Sequence, residues 1–351
     1  MNQVTWIRRN GFILGLMLAV VCAAIFPRPG SRHGFLHADV LNNLGIGLIM
    51  FLQGLSLAME KLKSGAKNWR LHVIIQSFTF VVFPLVGVMA YFGVPLIWTT
   101  EPLAVRQGLL YLCVLPSTIS TSVVLTAVAH GNTAGALFNA ALSNIIGVFL
   151  TPLMVQQMMR TAGQSTPMGM LMLKIMLLTL LPFFVGMSLR RFVKCWVDNH
   201  KAWVARISNG VIIFIVYTAF CDSFVEKIWQ RDGISTTVKL LLCVALLFTF
   251  MSLLIYSVCR LLRLNREDRI TAYFCSVKKT LAMGVPLAML IFGTRSDVPL
   301  IILPLMFYHP IQIFINGVLA NEWAKHATKM ALPGKTVRGQ LSATGGSVAA
   351  E

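Results

Sequence analysis

The sequence predicts an all-α, polytopic membrane protein: ten transmembrane helices in two inverted five-helix repeats. Three observations carry this reading. Of the 351 residues, 56% are hydrophobic and only 12% are charged, where a soluble domain has about 25% charged. Apolar runs close to the ~20 residues that cross a hydrocarbon core recur from end to end. Two of those runs, five spans apart, are interrupted by polar residues together with proline.

Hydropathy places the first five spans at about 10–26, 40–59, 71–93, 108–129 and 133–158. The second five fall at about 168–189, 206–224, 236–259, 270–292 and 299–320. Residues 1–160 then form the first repeat and 161–325 the second, and 326–351 form a polar, Gly/Ser-rich tail expected to be disordered and cytoplasmic. Five is odd, so the second repeat enters the membrane from the opposite side to the first, which is the arrangement of inverted-repeat transporters. Arg8 and Arg9 followed by GFILGLMLAVVCAAIF resemble a signal peptide, but no clear small-x-small cleavage site follows, so a retained first helix is expected.

The formal net charge of +18 would suggest nucleic acid in a soluble protein. Here lysine and arginine mark cytoplasmic loops instead, and the lipid bilayer, not a nucleic acid, is the expected partner. With the N-terminus inside, nineteen of the thirty lysines and arginines fall on inner segments and eight on outer ones; Lys174, Lys278 and Lys279 lie within spans. That bias predicts both termini in the cytoplasm, and the expected location is a bacterial inner membrane. The seven cysteines are scattered without a CxxC, so neither a disulfide framework nor a metal site is indicated. No HExxH, GxSxG or intramembrane aspartate pair is present, which argues against an enzyme.

The fourth span contains LPSTISTSVVL, with Pro116 followed by Ser117, Thr118, Ser120, Thr121 and Ser122. The ninth contains SVKKTLAMGVP, with Ser276, Lys278, Lys279 and Thr280. Proline removes a backbone donor and clashes with the preceding turn. Backbone groups freed at that depth must find neighbouring helices, side chains, water or ligand. The hydroxyls could serve this purpose or coordinate a small ion, or they could bond back to their own helix around a simple kink. A charge near the bilayer centre costs roughly 2.5–3.5 kcal/mol on insertion scales, so the two lysines either line a site or snorkel to the membrane edge; neighbours on a helix point about 100° apart, which favours one of each. Asn139, Ser143 and Asn144 share about one face of the fifth helix and could complete an ion site or bond between helices. His309, before Pro310 in the tenth span, reads as a packing residue or a proton relay. Asn42, Asn43 and Gln53 could line a crevice from the second span.

The stretches LIMFLQGLSL (49–58), QSFTFVVFPL (76–85), HGN (130–132), KKTLAMGVPLA (278–288) and FYHPIQIFINGVLA (307–320), in this order and spacing, resemble the bile acid:sodium symporter family, more closely its SBF-like branch. The resemblance implies a core domain in which spans four and nine unwind and cross, beside a flatter panel domain. It also implies two Na⁺ ions at the crossing, held by a third-span glutamine, by hydroxyls and asparagine of spans four and five, and by an acidic residue and a glutamine of span nine. Gln76 matches the third-span glutamine and Ser122 a fourth-span serine. The acidic residue is absent, and Ser276, Lys278, Lys279 and Thr280 stand in its region.

An ammonium group is a compact cation with three donors, so Lys278 or Lys279 is expected to replace one sodium with a tethered charge, and its proton could be released and rebound, giving proton coupling. No cofactor beyond Na⁺ or H⁺ is expected. The first functional reading is a secondary active transporter of a small organic anion by alternating access. The second keeps Na⁺ coupling, as a bile-acid-like symporter. The third is a membrane regulator or sensor that shares the fold without net transport.

Overall fold

A computed structural model of the chain describes residues 3–31, 34–57, 65–99, 101–161, 173, 175–227, 233–293 and 295–331. The described residues are helical and contain no strand. In chain order we label α1 Gln3–Ile25, α2 Ala38–Ser56, α3 Trp69–Ile97, α4 Leu103–Val114, α5 Ile119–Val128 and α6 Thr133–Thr161. Then follow α7 Met176–Asn199, α8 Lys201–Val225, α9 Gly233–Leu261, α10 Arg266–Ser276, α11 Leu281–Phe292 and α12 Val298–Ala331.

Eight spans among the described residues are long and apolar enough to cross a membrane, with α10 and α11 counted as one, and the bent pair α4–α5 makes up to nine. The apolar part of α1, Gly11–Ile25, is shorter. The surface carries large apolar side chains such as Phe314, Leu246 and Met89. Exposure on this scale would invite aggregation in water and suits a lipid surround, and the protein is integral to the membrane.

α1, α2, α7 and α8 pack on one another, most extensively α2 against α7 and α1 against α8. α4 packs on α3 and α12, α5 on α6, and α10 on α9, α6, α5 and α3. α11 touches α8 and α2 as well as α12, and so joins the two groups. The α2–α7 seam depends on two glycines: a Cβ at Gly54 would sit 2.1 Å from the Phe183 carbonyl oxygen, and one at Gly186 would sit 2.2 Å from that of Phe51. At the end of this seam the buried Arg190 donates to the Leu55 carbonyl (2.6 Å) and pairs with Asp198 (3.2 Å). Sequence placed Arg190 in a loop beyond the sixth span. α7 in fact continues to Asn199, and the guanidinium caps α2.

α12 remains helical to Ala331, past the start of the tail expected from 326; residues 332–351, Lys174 and the side chains of Arg8 and Arg9 lie outside the described set.

Candidate functional site

The interruption of the fourth span falls at Leu115–Thr118. Leu115 precedes Pro116, whose ring disfavours helical geometry in the residue before it, and Leu115 is extended (φ −72°, ψ 147°). Thr118 is extended too (φ −83°, ψ 138°), and α4 and α5 meet at 60°. The second interruption, at Val277–Thr280, has a different origin. Pro286, which the sequence reading tied to this break, sits inside α11 without ending it. The helix opens where its neighbours take its backbone groups. Tyr308 donates its hydroxyl to the Val277 carbonyl (2.5 Å). Gln312 accepts from the Lys279 N–H through Oε1 and donates to the Lys279 carbonyl through Nε2, both at 2.9 Å.

The two breaks touch: the Thr280 N–H donates to the Pro116 carbonyl at 3.0 Å. Around them the freed groups of the fourth span are matched one by one. Val114 O accepts from Thr151 (2.9 Å), Ser117 O accepts from Asn144 Nδ2 (2.8 Å), and the Ser117 N–H donates to Ser143 Oγ (3.1 Å). Leaving any of these buried groups unpaired would cost roughly 1–3 kcal/mol.

Cys113 O and Leu115 O accept from the Lys279 ammonium, at 2.9 and 2.8 Å. A third carbonyl, Thr79 O, lies 3.5 Å from the same nitrogen. Its availability follows from local sequence. Residues 78–82 wind as a π-turn in which the Phe83 N–H reaches back to Phe78 O. The next donor in that ladder would be Pro84, which has no N–H, so Thr79 O is left over. The Phe83 ring covers the ammonium at 4.0 Å from its centroid, a favourable cation–π contact. Three carbonyls and a ring thus enclose a side chain that is 0% exposed.

Lys278 is equally buried, 0% exposed. The expectation that one lysine snorkels is therefore wrong. The break is not helical, so adjacent side chains turn into different parts of the interior. The Lys278 ammonium has no hydrogen-bond partner among the described residues. It lies close enough to His309 and to Cys275 for electrostatic interaction with each.

The Gln312 bonds also fix the state of His309. Because Gln312 Nε2 must face the Lys279 carbonyl, its second hydrogen points at His309 Nδ1, 3.1 Å away. Nδ1 is then the acceptor, and the ring proton sits on Nε2. Phe12 packs edge-on against this ring.

The remaining sequence candidates divide. Ser117 and Ser122 are buried at the break, and Ser122 donates to Phe274 O in α10 (3.2 Å). Thr118 and Thr121 share a hydroxyl contact at 2.8 Å, while Ser120 is exposed on the far side of its helix and does not join them. Ser143 and Asn144 bond between helices. Gln76 and Asn139 form a cluster of their own one turn from Thr79. Gln76 Nε2 donates to the Asn139 carbonyl (3.1 Å) and to its Oδ1 (3.3 Å), and Asn139 Nδ2 reaches His72 (2.9 Å). Ser276 is buried with no hydroxyl partner. Thr280 contributes its backbone N–H to the crossing. Asn42, expected at a crevice, is paired with Thr218 across α2 and α8 (3.0 Å).

Sequence reasoning noted Gln312 only as following His309, without a role, and passed over Tyr308, Thr151, Thr79 and Phe83. For Thr79 a signal existed in Pro84, and for Gln312 in the spacing of His309, Gln312 and Asn316 along one face.

The chain is 34% identical to "Putative symporter YfeH" of Escherichia coli (strain K12), over 91% of this chain and 94% of that one. It is 29% identical to "Sodium/bile acid cotransporter 7" of Danio rerio, over 95% of this chain and all of that one (100%). A family model matches residues 10–325, and the chain belongs to the family it describes, the SBF-like CPA transporter family (DUF4137).

Proposed function

We propose that this protein is a secondary active transporter of a small organic anion, working by alternating access, in which Lys279 places a tethered ammonium where relatives of the resembled family hold a sodium ion, and in which release and rebinding of its proton couples transport. The single observation that carries this is the cage of Cys113 O, Leu115 O and Thr79 O around Lys279 Nζ. Such carbonyls suit a desolvated cation of either kind, and here the cation is covalently attached. The driving gradient in this reading is protons.

The reading includes ten spans in two inverted repeats, 1–160 and 161–325, with both termini cytoplasmic in a bacterial inner membrane. The α1/α2/α7/α8 group is its panel and the other helices its core. The packing of the two groups supports that division. The binding constellation in it comprises Ser117, Thr118, Thr121, Ser122, Ser143, Asn144, Ser276, Lys278, Lys279 and Thr280, with Gln76 and Asn139 beside it and His309 at its edge.

One observation favours a second reading, a retained Na⁺ site: Gln76 Oε1 is buried without a partner beside Asn139. Uptake of a labelled panel of organic anions, bile acids included, into proteoliposomes with separate Na⁺ and H⁺ gradients decides between them. Accumulation driven by protons in Na⁺-free medium supports the proposal, and an absolute need for Na⁺ supports the second reading. Single cysteines at Ser117 and Thr280 in a cysteine-free background should label from opposite sides in different conditions; a site sealed in all of them favours a regulator.

A further inference from the structure

Lys279 has three acceptors, while Lys278, the preceding residue and just as buried, has none. The carboxylates do not explain the difference. Asp268, the buried carboxylate of the same span, is held by the amides of Asn68 (2.6 Å), Asn132 (2.9 Å) and Asn265 (3.1 Å) at the helix starts, away from the break. A buried ammonium without a counter-charge is strongly unfavourable.

Other buried polar groups on the same break and on the helix packed against it are also left over. Ser276, on the turn before it, carries a buried hydroxyl with no partner. On α12, the helix that faces this break through Tyr308 and Gln312, Asn316 is 0% exposed and both ends of its amide are unpartnered. His309, also on α12, is within electrostatic range of Lys278 and carries its proton on Nε2, as the Gln312 bonds require. Each of these side chains has a donor to offer, and Lys278, when protonated, supplies a positive charge.

We infer that Lys278 is the anchor of a monovalent-anion subsite, the place where one carboxylate of the cargo is neutralised. Ser276 is the nearest added donor, and α12 forms the opposite wall. Lys279 takes no part in meeting the cargo because all three of its donors are committed to carbonyls. The two adjacent lysines therefore divide the work: one completes the fold of the crossing, and the other is left for a ligand. This deepens the anion-transport reading by naming the residue that meets the anion and the charge it meets.

The test is a binding measurement, independent of transport. The full chain is placed in nanodiscs of neutral phosphatidylcholine, in zwitterionic buffer, and its thermal unfolding is followed by tryptophan fluorescence with formate as the probe and sulfate as the divalent control. Formate should raise the wild-type midpoint saturably and sulfate should not. In Lys278→Met the formate shift should be lost, with binding weaker by about tenfold or more, the factor that corresponds to about 1.4 kcal/mol. Without formate this variant should be at least as stable as wild type, since an apolar side chain of similar length replaces an unpaired charge. Lys278→Gln gives the same readout should the methionine variant misfold. An equal formate shift in wild type and variant, or none in wild type, overturns the inference. Failure of anion uptake in proteoliposomes would count against the transport reading alone and would leave a Lys278-dependent formate shift standing.

Discussion

Thr280 and Pro116 are joined by a 3.0 Å hydrogen bond between the backbone of one helix break and the backbone of the other. This contact makes the crossing one structural unit. It brings Lys279, one residue earlier in the ninth span, against the carbonyls that the fourth span releases at Cys113 and Leu115.

The tethered-cation reading predicts chemical rescue. Lys279→Ala leaves the carbonyls of Cys113, Leu115 and Thr79 facing an empty volume, and should destabilise the protein by at least ~3 kcal/mol at roughly 1–3 kcal/mol per unpaired group. Sodium chloride should restore part of the lost thermal stability, N-methylglucamine chloride should not, and wild type should respond to neither. A variant indifferent to sodium would show that the cage does not suit a metal cation.

Gln312 is expected to be as important to the ninth-span break as Pro116 is to the fourth. Gln312→Leu removes both partners of the Lys279 backbone (2.9 Å each) and should cost about 2–6 kcal/mol, at roughly 1–3 kcal/mol per orphaned group. Hydrogen exchange should rise first at residues 277–281. Protection unchanged there would mean the break opens for some other reason.

Asp268 gathers the amides of Asn68, Asn132 and Asn265, so α3, α6 and α10 start from one knot. Asn68, Asn132 and Asn265 also cap these helices, accepting from Leu71, Gly135 and Asp268 N–H groups respectively. Asp268→Ala should raise exchange at all three helix starts together, and the effects of Asp268→Ala and Asn132→Ala should combine to less than their sum, as expected of residues in one network. Strict additivity would refute the knot.

The α2–α7 seam sets a steric limit. Gly54→Ala and Gly186→Ala each place a methyl within 2.2 Å of a facing backbone oxygen, and each should cost about 1–3 kcal/mol or more through overpacking. Once one substitution has forced the helices apart, the second should add little. Thermal unfolding of the two single variants and the double variant measures this.

Most of the helical architecture was legible in sequence, because spans announce themselves by length and apolarity alone. So did the fourth-span break: Pro116 dictates the extended Leu115 before it. The ninth-span break was legible only as a polar interruption. Its cause lies in Gln312 and Tyr308, thirty-odd residues away in sequence, and Pro286, the residue that looked responsible, rides inside an intact helix. Gln76 was found, but not its engagement with Asn139 in place of the lysine cage. Ser120 was included because it lies among hydroxyls, and it faces the other way.

By itself, then, the sequence determined that the chain crosses a membrane repeatedly, that two spans are interrupted, and that two amines sit where lipid-facing helices do not carry charge. Only the tertiary structure decided that both amines are buried, and that they are unlike. Which carbonyls are free depends on which donors prolines and neighbouring helices remove, and that balance exists only once the breaks are in contact. Lys279 finds three such acceptors and Lys278 finds none, a distinction that no local pattern in KK contains.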